Sequence, residues 1–256
     1  MRVVSVARFA SLCVAAGIVA ACSTDEAPGP LEPTGPTGRV RLLNLITDPA
    51  RATVNASLEG LVFTVSLLYG QTAPANLPAP ATAPYAAVYT GDRSFVLKRT
   101  ADTTAALATL NFTIADAQDL TVYAAGGAGG SAITRFVTTD TNPAPVAGET
   151  RLRIVNGSPT AGAVDVFVTA VGADLSTATP RATGLAYQSA SAYFTVAPGT
   201  YQVRAVPAGT APANRAAAVT VNLASTAFTT ATARTIVLAD RAAGGAPLQA
   251  IVIGDR

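Results

Sequence analysis

Polar and apolar residues alternate along Arg39-Val40-Arg41-Leu42-Leu43-Asn44 and again along Arg151-Leu152-Arg153-Ile154-Val155-Asn156. That period of two predicts a strand with one face buried and the other solvated. The two stretches are nearly the same sequence, 112 positions apart, so the chain carries an internal repeat. Each is followed by a proline-containing turn, Thr47-Asp48-Pro49 or Gly157-Ser158-Pro159-Thr160, and then by another alternating stretch, Thr53–Leu58 or Ala163–Val168. Later pairs keep the same order: Ser94–Arg99 with Thr200–Ala205, Leu110–Ile114 with Val219–Leu223, and Leu120–Tyr123 with Thr235–Leu238. About seven short strands per copy, punctuated by turns, predict an all-β chain of two tandem antiparallel β-sandwiches. Helical periodicity is confined to Ala115-Asp116-Ala117-Gln118, room for one turn.

The pattern breaks in three places. Asp140 to Gly148 is proline-rich and reads as the connector between copies, and Gly70 to Pro84 as a surface loop inserted in the first copy. The third break is the N-terminus. Arg2 and Arg8 precede an apolar stretch from Phe9 to Ala21, interrupted only by Ser11, and Val19-Ala20-Ala21-Cys22 then leads into polar Ser23-Thr24-Asp25-Glu26. This is the order of a bacterial secretory signal, and the last four residues resemble a lipobox. The apolar stretch is shorter than the roughly 20 residues a spanning helix needs. The expected organisation is a lipoprotein signal peptide over 1–21, a Pro/Gly-rich tether over 22–38, repeat 1 over 39–140, a linker over 141–148 and repeat 2 over 149–256. Lipid on Cys22 would place the protein in the cell envelope, at the outer membrane in preference to the inner, facing the periplasm or the cell surface.

Composition narrows the chemistry. The two cysteines are Cys13, within the expected signal, and Cys22, so the mature chain forms no internal disulfide. Removing Arg2 and Arg8 takes 17 basic residues to 15, equal to the 15 acidic ones. With no Lys/Arg run, a nucleic-acid partner is not expected. The chain has no His, which removes the commonest general base and metal ligand. A Ser-Lys pair would have to use Lys98, the only lysine, which sits on an alternating strand. Asp165 reads as an outward side chain reaching the Ser158-Pro159 turn. Asp140 and Asn142 offer too few oxygens for calcium and read as turn residues of the linker. Gly126-Gly127-Ala128-Gly129-Gly130 fits no phosphate-loop spacing and reads as a hairpin loop. Tyr85, Tyr89, Tyr187 and Tyr193 occupy similar places in the two copies and read as core or rim residues, with sugar stacking as the alternative.

Arg151 to Pro159, Ala163 to Val168, Gly184-Leu185-Ala186-Tyr187, Tyr193 and Ala197 to Arg204 resemble the bacterial domain-of-unknown-function family 4397. The resemblance is close over 150 to about 240 and looser over 38–140. It implies tandem domains of immunoglobulin- or transthyretin-like β-fold, secreted or lipid-anchored. Family members often have His where this chain has Asn156, so no metal or proton role carries over. The expected function is a non-catalytic, lipid-anchored envelope protein, structural, adhesive or ligand-binding. It needs no cofactor or metal, and its partners are the membrane through Cys22 and an envelope protein or glycan. The alternatives are a glycan-binding module or accessory subunit of a surface system, and a glycosidase using carboxylates alone.

Overall fold

The computed structural model describes residues 35–75, 77–78, 83–144 and 146–255. Cys22, the expected signal and nearly all of the expected tether lie outside the described residues. The first copy contributes β1 (Thr37–Ile46), β2 (Val54–Leu58), β3 (Leu61–Leu67), β4 (Gln71–Ala73) and β5 (Leu77–Pro78). It continues with β6 (Ala86–Tyr89), β7 (Gly91–Arg99), β8 (Asp102–Ile114), β9 (Asp119–Gly126) and β10 (Ile133–Thr139). The second contributes β11 (Thr150–Asn156), β12 (Val164–Ala170), β13 (Ala182–Leu185) and β14 (Phe194–Val196). It ends with β15 (Gly199–Pro207), β16 (Val221–Phe228), β17 (Thr232–Ala239) and β18 (Gln249–Gly254).

The fold is all-β, and each copy is a sandwich of an inner and an outer sheet. The outer sheets run β3-β2-β7-β8 and β13-β12-β15-β16. The inner sheets run β10-β9-β1-β4-β5, with β6 also on β1, and β14-β11-β17-β18. The repeat therefore carries over into topology. One core joins Val40, Leu42, Leu120 and Val122 of the first inner sheet to Val54, Phe95, Leu97 and Phe112 of its outer sheet. Its counterpart joins Leu152, Ile154 and Ile236 to Val164, Val166 and Val203. Pairing is antiparallel except for one parallel pair in each inner sheet, β1 with β9 and β11 with β17. A parallel neighbour requires a crossover; here the chain leaves β1, visits the outer sheet as β2-β3 and again as β7-β8, with β4 to β6 back on the inner sheet between the two visits, and then enters the inner sheet as β9.

The inner sheets do not have the solvated face that alternation predicted. A third core packs Leu43, Leu45, Tyr123, Ala125 and Phe136 of the first copy with Val155, Val237, Ala239, Ile251 and Ile253 of the second. Odd-numbered residues of β1 thus face the other sandwich, and Arg41, the largest fully buried side chain, is among them. Gly157 marks how closely the copies approach: a Cβ there would lie 2.9 Å from Leu45 Cδ1 and 3.2 Å from Val237 Cγ1.

Two smaller expectations also change, and a third holds. The insertion from Gly70 is not wholly a surface loop: Gln71–Ala73 pairs with β1, and Thr72, Ala73 and Ala83 are buried. That docking satisfies backbone groups beside a core that a free loop would leave open. Ala115–Gln118 is a turn with Ala117 at φ 54, not a helical turn. Gly126–Gly130 does form the β9–β10 hairpin connection, closed by a 3-10 turn over Ala128–Gly130.

Candidate functional site

The densest polar chemistry among the described residues lies inside the contact between the two sandwiches. Arg41 on β1 and Arg153 on β11 occupy matching positions in the repeat. So do Thr121 and Thr235 on the parallel neighbours β9 and β17. Asp140 and Asp255 each follow the last strand of their copy. All six side chains are buried, none of these residues exceeding 5 % exposure.

The ion pairs cross between the copies. Arg41 Nη2 donates to Asp255 Oδ1 at 2.6 Å, and Arg153 Nη2 lies 2.7 Å from Asp140 Oδ1. Each arginine also donates to the threonine beside it, Arg41 Nε to Thr121 Oγ1 at 2.7 Å and Arg153 Nη2 to Thr235 Oγ1 at 3.0 Å. Those hydroxyls in turn donate hydrogen bonds to the carboxylates of their own copies: Thr121 to Asp140, and Thr235 to Asp255 at 2.7 Å. Tyr85 and Tyr193 close the ends. Their hydroxyls donate to Asp140 at 2.7 Å and Asp255 at 2.9 Å. Their rings lie 4.6 and 4.9 Å from the Arg41 and Arg153 guanidinium carbons.

The energetics follow from burial. Desolvation works against charge on Arg41 and Arg153, yet Asp255 and Asp140 respectively hold both guanidiniums firmly protonated. Burial by itself would raise the Asp140 carboxyl. The Arg153 and Arg41 charges, with donors from Thr121 and Tyr85, hold it below the ordinary carboxylate range instead. Burial pushes the Tyr123 phenol up to about 12, and its ring stacks on Phe136 with centroids 4.2 Å apart. The pairing is not complete, since Arg41 Nη1 is buried without a hydrogen-bond partner.

Several residues singled out in the sequence find their places here. Asp140 and Asn142 are not linker turn residues. Asp140 anchors the ion lattice, and Asn142 donates to Asp119 at 2.7 Å, which also receives Arg39. Tyr85 and Tyr193 cap the lattice as core and rim residues, and Tyr187 lies edge-on to Phe136. Tyr89 is exposed. Asp165 does not reach the Ser158-Pro159 turn; it accepts from the Gly184 and Gly209 amides at 2.8 and 3.1 Å, and Ser158 instead donates to Asp240. Asn156 and Asn44 are paired devices: each amide donates to two carbonyls, Gly162 and Leu185 or Ala52 and Leu67, pinning the turn after the first strand. The signal that would have exposed the lattice is the recurrence of Arg at 41 and 153 together with Asp at 140 and 255, like charges at like positions of the two copies.

Open surface near the lattice is modest. A cleft of about 360 Å³ at its edge includes Thr138, Thr141, Arg153, Gln188 and Tyr193. A second, of about 470 Å³ on the first copy, presents Glu59, Asp92, Ser94, Asn111, Thr113 and Arg135. Among the described residues no group of three or more Cys, Asp or Glu is placed to hold a metal, and no helix is long and apolar enough to cross a membrane.

Comparison with known proteins gives one family and a few loose structural overlaps. The profile of the family described as Domain of unknown function (DUF4397) matches residues 38–167, which takes in the first copy and the opening strands of the second. No curated protein matches the chain. Among solved structures, a family 41 carbohydrate-binding module from streptococcal virulence factors, described for alpha-glucan recognition, is 11% identical. That overlap covers 85% of this chain and 97% of that one, with a TM-score of 0.25. An alpha-glucan-binding streptococcal virulence factor is 9% identical over 79% of this chain and 92% of that one, at 0.22. A leucine-rich repeat protein from Bacteroides thetaiotaomicron VPI-5482 is 12% identical over 78% and 25%, at 0.19.

Proposed function

The chain belongs to the DUF4397 family, and from that footing we propose that it is a non-catalytic, lipid-anchored envelope protein whose joined sandwiches serve as a rigid support for binding or adhesion. The observation that carries this reading is the use made of Arg41, Arg153, Asp140 and Asp255. Charged groups of the kind that do chemistry in clefts are spent here on fastening one copy to the other. The lipobox-like run before Cys22 supports the anchor. Metabolic labelling with an alkyne fatty acid tests it: label is expected on the wild type and absent from Cys22→Ala. Equal labelling of the two would sink the anchor.

A second reading, glycan binding, draws on the 470 Å³ cleft, whose Ser94, Asn111, Thr113, Asp92 and Glu59 offer hydroxyl, amide and carboxylate partners to a hydroxyl-rich ligand. A glycan array probed with wild type and Asn111→Ala tests it. Signal that survives the substitution, or no signal at all, counts against this cleft.

A further inference from the structure

The two copies differ on the outward faces of their outer sheets. Val54 pairs with Leu67 as Val164 pairs with Leu185, which sets the strands in correspondence. Val96 stands opposite Ser57 and Lys98 opposite Asn55, where Arg204 stands opposite Phe167 and Val206 opposite Asp165. Ser57 and Lys98 therefore take the places of Phe167 and Val206.

In the second copy that face is covered by the chain itself. Phe167 and Val206 are fully buried beneath the segment 171–181 that joins β12 to β13, whose Leu175 packs against them with Ala178 beside it. Arg215 lies 5.0 Å from the Phe167 ring centroid and donates to the Leu175 and Ala178 carbonyls at 3.1 and 3.0 Å. In the first copy β2 and β3 are joined by Glu59-Gly60 alone, and the face stays open. Val62, opposite Ser57, is 78% exposed. A depression of about 230 Å³ there is lined by Ser57, Val62, Val96 and Lys98 among others, and Lys98 is its one charged side chain. Lys98 makes no ion pair among the described residues.

We propose that this face of the first copy docks a short turn-forming segment of a partner polypeptide that carries an aliphatic side chain beside a carboxylate. The second copy shows how the same fold is covered: its segment reads Val171-Gly172-Ala173-Asp174-Leu175-Ser176, and Leu175 supplies the apolar contact. On the first copy the aliphatic group fills the depression against Val62 and Val96, and the carboxylate meets the Lys98 ammonium. Burying Val62 removes exposed apolar area on an uncharged strand at the sheet edge, a feature that proteins ordinarily blunt with charge or cover. The proposal stands whether or not Cys22 carries lipid.

The probe is a synthetic peptide of residues 171–181, titrated into the ¹⁵N-labelled protein and followed by amide chemical shifts. Saturable shifts confined to 55–65 and 96–103 are expected. Affinity should fall at least about tenfold with Lys98→Glu and with Val62→Asp, while unchanged shifts in the second copy report an intact fold. A peptide with Leu175→Asn should shift nothing. Absent shifts, or shifts indifferent to both protein substitutions, overturn the proposal. So does a concentration-dependent dimer dispersed by Val62→Asp, which puts a second molecule on this face. Sedimentation with phosphatidylglycerol–phosphatidylethanolamine vesicles that is lost in Val62→Asp puts a bilayer there, and equally overturns it.

Discussion

Arg41→Ala is expected to lower the stability of the joined sandwiches by about 3–5 kcal/mol, the range seen when one partner of a buried ion pair is removed. Asp255 Oδ1 would lose its 2.6 Å donor, and Thr121 would lose the donor that orients its hydroxyl. The vacated volume lies beside the packed ring of Tyr85 and cannot collapse cheaply. At about 2–4 °C per kcal/mol for a domain of this size, the midpoint of thermal unfolding should fall by roughly 6–20 °C. Replacing both charges by apolar groups, Arg41→Met with Asp255→Leu, should recover much of the loss, because no buried charge is then left unpaired. Calorimetry on the wild type, both single variants and the double variant gives the coupling directly. A double variant no more stable than the sum of the singles would show that the pair is not the unit described.

Acid should unfold the protein through the same lattice. Burial opposes the Asp140 charge, but Arg153 and Arg41 with their supporting hydroxyls hold its carboxyl below the unfolded value of about 3.9. A carboxyl with a depressed folded value binds protons more readily when unfolded. Its contribution is therefore complete above about pH 4 and is lost as pH falls through the folded value. Protonating Asp140 leaves Arg153 buried without its nearest carboxylate, and the loss is set by how far the folded value lies below the unfolded one. Denaturant midpoints should be nearly level from pH 7 to 5 and drop steeply below 4. Asp140→Asn should be less stable at neutral pH and show a much shallower acid drop. If wild type and Asp140→Asn lose stability in parallel, other carboxyls govern the transition.

The fold was legible because a strand with alternating sides writes its burial into the sequence, and because the chain writes it twice. Val40, Leu42, Leu152 and Ile154 point into the cores where the alternation puts them. The same rule misled at Arg41 and Arg153. On one strand a polar residue facing solvent and a polar residue facing another sheet look alike, and only a partner distant in sequence separates them. For Arg41 that partner is 214 positions away. Asp140 was hidden for the opposite reason: Pro143 and Gly148 mark its surroundings as a loop, and nothing local says that a loop start lies under a neighbouring sheet. The Gly70 insertion shows the same limit, since three residues suffice for β4 to pair with β1.

The position of β1 has a mechanical consequence. It is the first strand of the described fold, yet it lies in the interior of its sheet, in register with β9 over eight residue pairs from Arg39 to Ile46. A pull on its N-terminal end runs along the strand, so it loads those bonds in shear and must break many of them together. Had the chain entered through an edge hairpin, the same pull would peel its bonds one after another. The entry strand therefore resists tension at the point where any force arriving through residues before Thr37 would first be felt.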